Sequence, residues 1–116
     1  MSTFLTGRYG EDAAVKFLKE NGYTVLERNY RAANVEIDIV AIKEKHLSFV
    51  EVKSRKNTDF GYPAEAVTLK KQKKIIDAAK VFLMHFENYN EISFDVCEVY
   101  LKERRINYIE NAFALE

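Results

Sequence analysis

Two short segments set carboxylates inside hydrophobic runs: Glu36-Ile37-Asp38 and, thirteen residues beyond Asp38, Glu51-Val52-Lys53. The surrounding runs, Val35 to Ile42 and Leu47 to Lys53, are rich in strand-forming residues. Acidic side chains are poor strand formers and are rarely buried without a partner, so three of them and a lysine in adjacent strands call for a counter-charge. A divalent metal between the strands supplies one. The stretch between the runs, Lys43-Glu44-Lys45-His46, is polar and suited to a hairpin turn. A two-residue loop at Glu44-Lys45 pairs Lys43 with His46, and the same register puts Asp38 opposite Glu51 and Glu36 opposite Lys53. Opposed residues of an antiparallel pair share a face, with Cβ atoms about 4.5–5.5 Å apart. A slip of one residue would send one set of carboxylates to the other face.

Opposed carboxylates repel each other unless a cation lies between them or one is protonated. An oxygen-only donor set selects a hard ion such as Mg²⁺ or Mn²⁺, completed by water and a substrate phosphate. Lys53 points to the same side as Glu51. From there it could orient or help deprotonate an attacking water, or neutralise charge on a phosphate. The competing reading is an exposed face of salt bridges, such as Glu36 with Lys53.

The elements that must hold these residues follow from the pattern. Thr6 to Asn21 reads as a helix, with Tyr9, Ala13, Ala14, Phe17 and Leu18 at helical spacing and Gly22 placed to end it. Tyr23 to Tyr30 reads as a strand, followed by the two acidic strands. A loop from Ser54 to Pro63 leads to a long helix beginning near Ala64 or Thr68 and ending near His85, with Leu69, Ile76, Ala79, Leu83 and Phe86 as its buried stripe. Ile92–Leu101 and Ile106–Ile109 read as two further strands around a Glu103-Arg104-Arg105 turn. The fold class is therefore α/β: one sheet of about five strands, in the order helix, three strands, helix, two strands, with helices packed on it. Residues 1–116 read as a single domain with enough apolar residues, 47%, to build a core.

Composition narrows the chemistry. A single cysteine, Cys97, excludes an internal disulfide, and without a His/Cys cluster zinc is not expected. Cys97 reads as a small buried hydrophobe. With no membrane-length apolar run and no signal-peptide pattern, the expectation is a cytoplasmic protein with no membrane partner. Net charge is zero, yet residues 53–74 hold 7 basic and 2 acidic side chains, against 7 and 8 in residues 1–52 and 4 and 8 in residues 75–116. Positive charge thus gathers just downstream of the carboxylate strands, where a phosphodiester substrate would need it. Phe60 and Tyr62 in the intervening loop are candidates for stacking on a base. His46 and His85 have no nucleophile or metal-ligand partner by spacing.

This order of elements, with an acid on the second strand and Glu-x-Lys on the third, resembles the restriction-endonuclease-like fold and its metal-dependent nuclease motif. Gly7-Arg8-x-Gly10-Glu11, Gly22-Tyr23, Asn29-Tyr30-Arg31, Glu36-Ile37-Asp38, Phe49-Val50-Glu51-Val52-Lys53-x-Arg55, Lys71-Gln72 and Asn111-Ala112-Phe113 look like the YraN-like family. Its members are uncharacterised predicted endonucleases distantly related to archaeal Holliday junction resolvases. One departure is Ala33-Asn34-Val35, where the family usually has glycine just before the Glu-Ile-Asp segment.

The resemblance implies Asp38 and Glu51 as metal ligands, with the Val52 carbonyl as a third contact and Lys53 as the catalytic lysine. It implies Glu11 as a further carboxylate of the set. Read from the residues alone, Glu11 is equally an N-terminal helix charge complementing the macrodipole. Glu36 would act behind the ligands, and Arg8, Arg31, Arg55, Lys71 and Gln72 are candidates for phosphate contacts or site support. The expected function is a Mg²⁺- or Mn²⁺-dependent nuclease acting on DNA rather than RNA, with branched DNA as a candidate substrate and a homodimer as a candidate assembly. The alternatives are a nucleic-acid-binding module that keeps the site without cutting, and a salt-bridged interaction domain.

Overall fold

In the computed structural model, which describes residues 3–55 and 67–114, the order is α1 (Thr3–Glu20), β1 (Thr24–Ala32), β2 (Val35–Lys43), β3 (His46–Arg55), α2 (Leu69–Leu83), β4 (Glu91–Tyr100) and β5 (Arg105–Phe113). The strands form one sheet in the order β1-β2-β3-β4-β5. Only β3 and β4 run parallel, so the sheet is mixed. A parallel pair needs a crossover connection, and α2 lies within the one between β3 and β4. Phe60, Tyr62 and the start expected near Ala64 fall outside the described residues. Among those described, no helix is long and apolar enough to cross a membrane.

Two hairpins fix the first three strands. Glu44 and Lys45 both have positive φ, 49° and 66°, and close a two-residue turn with Lys43 paired to His46, the expected register. Ala33 and Asn34, at 52° and 61°, do the same between β1 and β2. Tight hairpins favour this left-handed geometry because it matches strand twist, and glycine adopts it without steric cost. Ala33 therefore carries strain that a glycine would not.

Each face of the sheet has its own core. Ala14, Val15 and Leu18 of α1 pack with Ile39, Ala41, Val50, Cys97 and Val99. On the other face, Ile75, Ala78 and Ala79 of α2 pack with Leu47, Phe49, Phe94 and Val96. Helices on both faces bury β4 from Ser93 to Tyr100 without interruption, which is why that segment lacks an in–out alternation. The buried stripe of α2 is Ile75, Ala78 and Ala79, whereas the expected Leu69 is 76% exposed. Leu69 opens the helix just after its Thr68 cap, whose hydroxyl accepts from the Lys71 amide at 3.2 Å, and the packed turns begin later.

A Cβ built on Gly10 would overlap Ser54 Oγ, so α1 lies close against the end of β3, and a side chain there would force Ser54 to turn away. Replacing the strained Ala33 with glycine should stabilise the protein by roughly 0.5–1 kcal/mol, or ~2–5 °C in Tm. Thermal unfolding of Ala33→Gly checks this, and an unchanged or lower Tm would contradict the strain.

Candidate functional site

The sheet divides where the acidic residues lie. Pairing of β2 with β3 runs from Lys43↔His46 to Ile39↔Val50 and ends there. Beyond that point β2 stays paired to β1 as far as Ala32↔Val35, and β3 stays paired to β4 as far as Arg55↔Tyr100. At the fork the Val52 amide donates to Asp38 Oδ2 at 2.7 Å, a carboxylate taking the place of the missing strand partner. Val52 was expected to offer its carbonyl to a metal, and here it is its N–H that is engaged with Asp38.

The pleat reverses at the same level. Residues two apart in a strand should share a face. Ile39 packs in the α1-side core, whereas Ile37 packs on the α2 side. Their partners in β1 behave alike: Arg28 reaches α1, while Tyr30 packs on the α2 side. Asn29 lies between them with φ 55°, a left-handed residue inside a strand. Because β2 and β3 part after Ile39↔Val50, neither pair expected from the turn register, Asp38 opposite Glu51 or Glu36 opposite Lys53, forms. Glu36 instead faces its β1 neighbour Arg31, Oε2 to Nη2 3.2 Å, an exposed pair of small energetic weight.

Glu51 projects toward α2, where Lys71 Nζ donates to its Oε1 at 2.9 Å. Its residue exposure is 6%, and Oε2 is buried without a hydrogen-bond partner among the described residues. Buried carboxylate oxygens are nearly always satisfied, so this atom marks a place for a cation or a donor. Burial first, and then repulsion by Glu51, push the Asp38 carboxyl up to about 7, against the lowering by the Val52 amide. Burial lowers the Lys71 ammonium, but the Glu51 and Asp38 carboxylates more than reverse it, so its pKa is raised overall.

Glu11 is near enough to add to the repulsion on Asp38. Its Oε1, however, is held by Arg28 (Nη2 3.1 Å) and by Asn29 Nδ2 at 3.0 Å. Among the described residues no three acidic, histidine or cysteine side chains converge as a metal-ligand group. Asp38 and Glu51 make a two-carboxylate, all-oxygen set with one buried oxygen unsatisfied among the described residues. That fits Mg²⁺ or Mn²⁺, which commonly bind through one or two carboxylates with water and phosphate.

The other expected residues divide. Lys53 is partly buried beside Glu98 in the β3–β4 register. Lys70, Lys73 and Lys74 are exposed on the first turns of α2, which Lys71 ties to Glu51. Gln72 turns inward, Nε2 donating to the Val67 carbonyl at 2.8 Å, and fastens the helix start. Arg8 is exposed. Arg55 has Nε and Nη2 buried and unpartnered among the described residues.

Sequence reasoning missed Arg28, which binds Glu11 and Asp12, and two buried acids of β4. Asp95 accepts from Tyr108 Oη at 2.6 Å and the Asn111 amide at 3.1 Å; Glu98 accepts from Asn107 Nδ2 at 2.7 Å. A carboxylate within a strand, the signal used for Asp38, also marks both of these. His46 has a partner that spacing did not reveal: Nε2 lies 2.7 Å from Ser93 Oγ and Nδ1 3.4 Å from Glu91 Oε1. Ser93 is 2% exposed, so that chain of contacts joins β3 to β4 and offers no open nucleophile. Burial, with Glu98 adding to it, pushes the Cys97 thiol up to about 12. It therefore remains an unreactive packed thiol.

A model of the family described as "Uncharacterised protein family UPF0102" matches residues 10–99. The chain belongs to that family. A UPF0102 protein of Clostridioides difficile is 52% identical over 108 residues, covering 92% of this chain and 95% of its own length. One from Clostridium perfringens is 47% identical over 112 residues, and one from Chloroherpeton thalassium 44% over 118, each covering 92% of both chains. The UPF0102 match spans both branches of the fork and the start of α2.

A raised Asp38 pKa fixes the sign of a stability effect in this UPF0102 chain. The folded state holds the Asp38 proton up to about pH 7 and the unfolded state loses it near 3.8, so stability falls as pH rises between these values. Asp38→Asn keeps an acceptor for the Val52 amide and removes the charge. It should flatten that fall and raise stability above pH 7 by an amount on the order of 2 kcal/mol. Thermal unfolding from pH 4 to pH 8.5 measures both, and unchanged pH dependence would contradict the assignment.

Proposed function

We propose that this UPF0102 protein is a metal-dependent nuclease of the restriction-endonuclease-like fold that hydrolyses DNA phosphodiester bonds, with branched DNA as the candidate substrate. The observation that carries the reading is the fork itself: Asp38 and Glu51 converge there, Glu51 Oε2 is buried and unpartnered among the described residues, and Lys53 follows two residues along. Lone buried oxygens beside a second carboxylate suit a hard cation better than a salt-bridged surface. The lysines opening α2 supply positive charge beside the fork, as a phosphate-bearing strand requires.

Asp38 and Glu51 would hold Mg²⁺ or Mn²⁺, which polarises a phosphate and lowers the pKa of an attacking water. Lys53 places an ammonium two residues beyond Glu51, where its N–H groups meet negative charge growing on the phosphate and orient the water. Lys70, Lys73 and Lys74 hold the strand through its backbone, a contact that does not read sequence. A second reading, a module that binds nucleic acid and cuts only after rearrangement, is favoured by Glu11 being tied to Arg28 and Asn29 rather than joined to Asp38 and Glu51.

The test is a cleavage assay with Mg²⁺ or Mn²⁺ on four-way, flapped and single-stranded DNA and on RNA. Cleavage should appear on at least one DNA substrate and fall by about 10²-fold or more in Lys53→Ala. Activity surviving that substitution would remove Lys53 from the mechanism. Binding without cutting would select the module, and neither binding nor cutting would sink both readings.

A further inference from the structure

We infer that the fork carries its own cation: the Lys71 ammonium fills the counter-ion position beside Glu51, and a divalent metal enters by displacing it. This rests on the metal-site reading above. Lys71 Nζ lies 2.9 Å from Glu51 Oε1, so the ammonium already occupies one oxygen of a carboxylate that the metal needs. An ammonium and a divalent ion cannot both sit against the same carboxylates without repulsion.

The side chain is built to leave. Glu51 is 7% exposed at its side chain, Lys71 40%, so the carboxylate is fixed while the ammonium already borders water. The backbone that carries Lys71 is anchored by the Thr68 cap and by Gln72 on the Val67 carbonyl. Exchange therefore requires only a rotation of a flexible four-carbon stem into solvent. Once displaced, the ammonium remains tethered within a stem's length of Glu51, in reach of a phosphate lying on the metal. Lys71 is thus a positioning residue that couples the two occupancies: metal entry frees the charge that the nucleic-acid backbone then takes.

The opposite role, Lys71 holding Glu51 in place for the metal, predicts the opposite sign. Mn²⁺ binding to the full chain, followed by the paramagnetic resonance of free Mn²⁺, separates them. Removing a competing charge at this range should tighten binding at least about threefold in Lys71→Ala and likewise in Lys71→Gln. Added Asp38→Asn should cancel the gain, and in the wild type the Lys71 side-chain NMR signals should move as Mg²⁺ is added. Equal or weaker Mn²⁺ binding in both variants, with wild-type binding still abolished by Asp38→Asn, overturns the exchange and leaves the metal centre standing. Absence of binding in wild type and variants alike overturns both.

Discussion

Everything at the candidate site depends on one hydrogen bond, from the Val52 amide to Asp38 Oδ2. A strand that leaves its neighbour exposes a row of amides, and an amide buried without a partner costs about 1–3 kcal/mol. The carboxylate meets that need at Val52, so β2 and β3 can part after Ile39↔Val50 without stranding it. The same contact fixes where Asp38 points. Parting the strands then leaves its carboxyl near Glu51, which meets Lys71 in the first turn of α2.

Two carboxylates at such a fork make the fold less stable than it could be. Burial and repulsion by Glu51 hold the Asp38 proton far above its ordinary range, and among the described residues one Glu51 oxygen stays unsatisfied. Strain and unsatisfied groups that persist inside an otherwise consistent fold tend to mark function. The two acids of β4 give the contrast. Asp95 and Glu98 are each 1% exposed, yet each has donors aimed at it, Tyr108 and Asn111 for one, Asn107 and Tyr100 for the other. They stabilise the β4–β5 pair, with Asn111 in a left-handed conformation at its irregular end. Buried acids are therefore of two kinds here, and their partners distinguish them.

Much of this was legible in the sequence because it is local. The α/β order, the hairpin at Glu44-Lys45 and the closeness of Asp38 to Glu51 follow from runs of strand formers and a turn of fixed length. The place of Glu36 is not legible, because nothing in Glu36-Ile37-Asp38 announces that β2 and β3 part there or that Asn29 turns left-handed in the neighbouring strand. Arg28 was missed for a related reason: its partners Glu11 and Asp12 lie on a helix, brought near only by packing. In α2 the apolar residues fit more than one phase of the helix, and contact with the sheet selects Ile75 and Ala78 over Leu69. That Lys71 would reach Glu51 across the crossover is likewise a tertiary fact, although the concentration of lysines there hinted at a common purpose.

The central claim is that Asp38 and Glu51 together hold a divalent ion at the fork. Paramagnetic broadening of backbone amide signals by substoichiometric Mn²⁺ reads the ion's position directly. The amides of Asp38, Glu51 and Val52 should broaden first, with the first turn of α2 next and the far hairpin at Glu44-Lys45 spared. Broadening centred on another acidic surface, such as Asp12 and Glu20 of α1, or none at all, would contradict it.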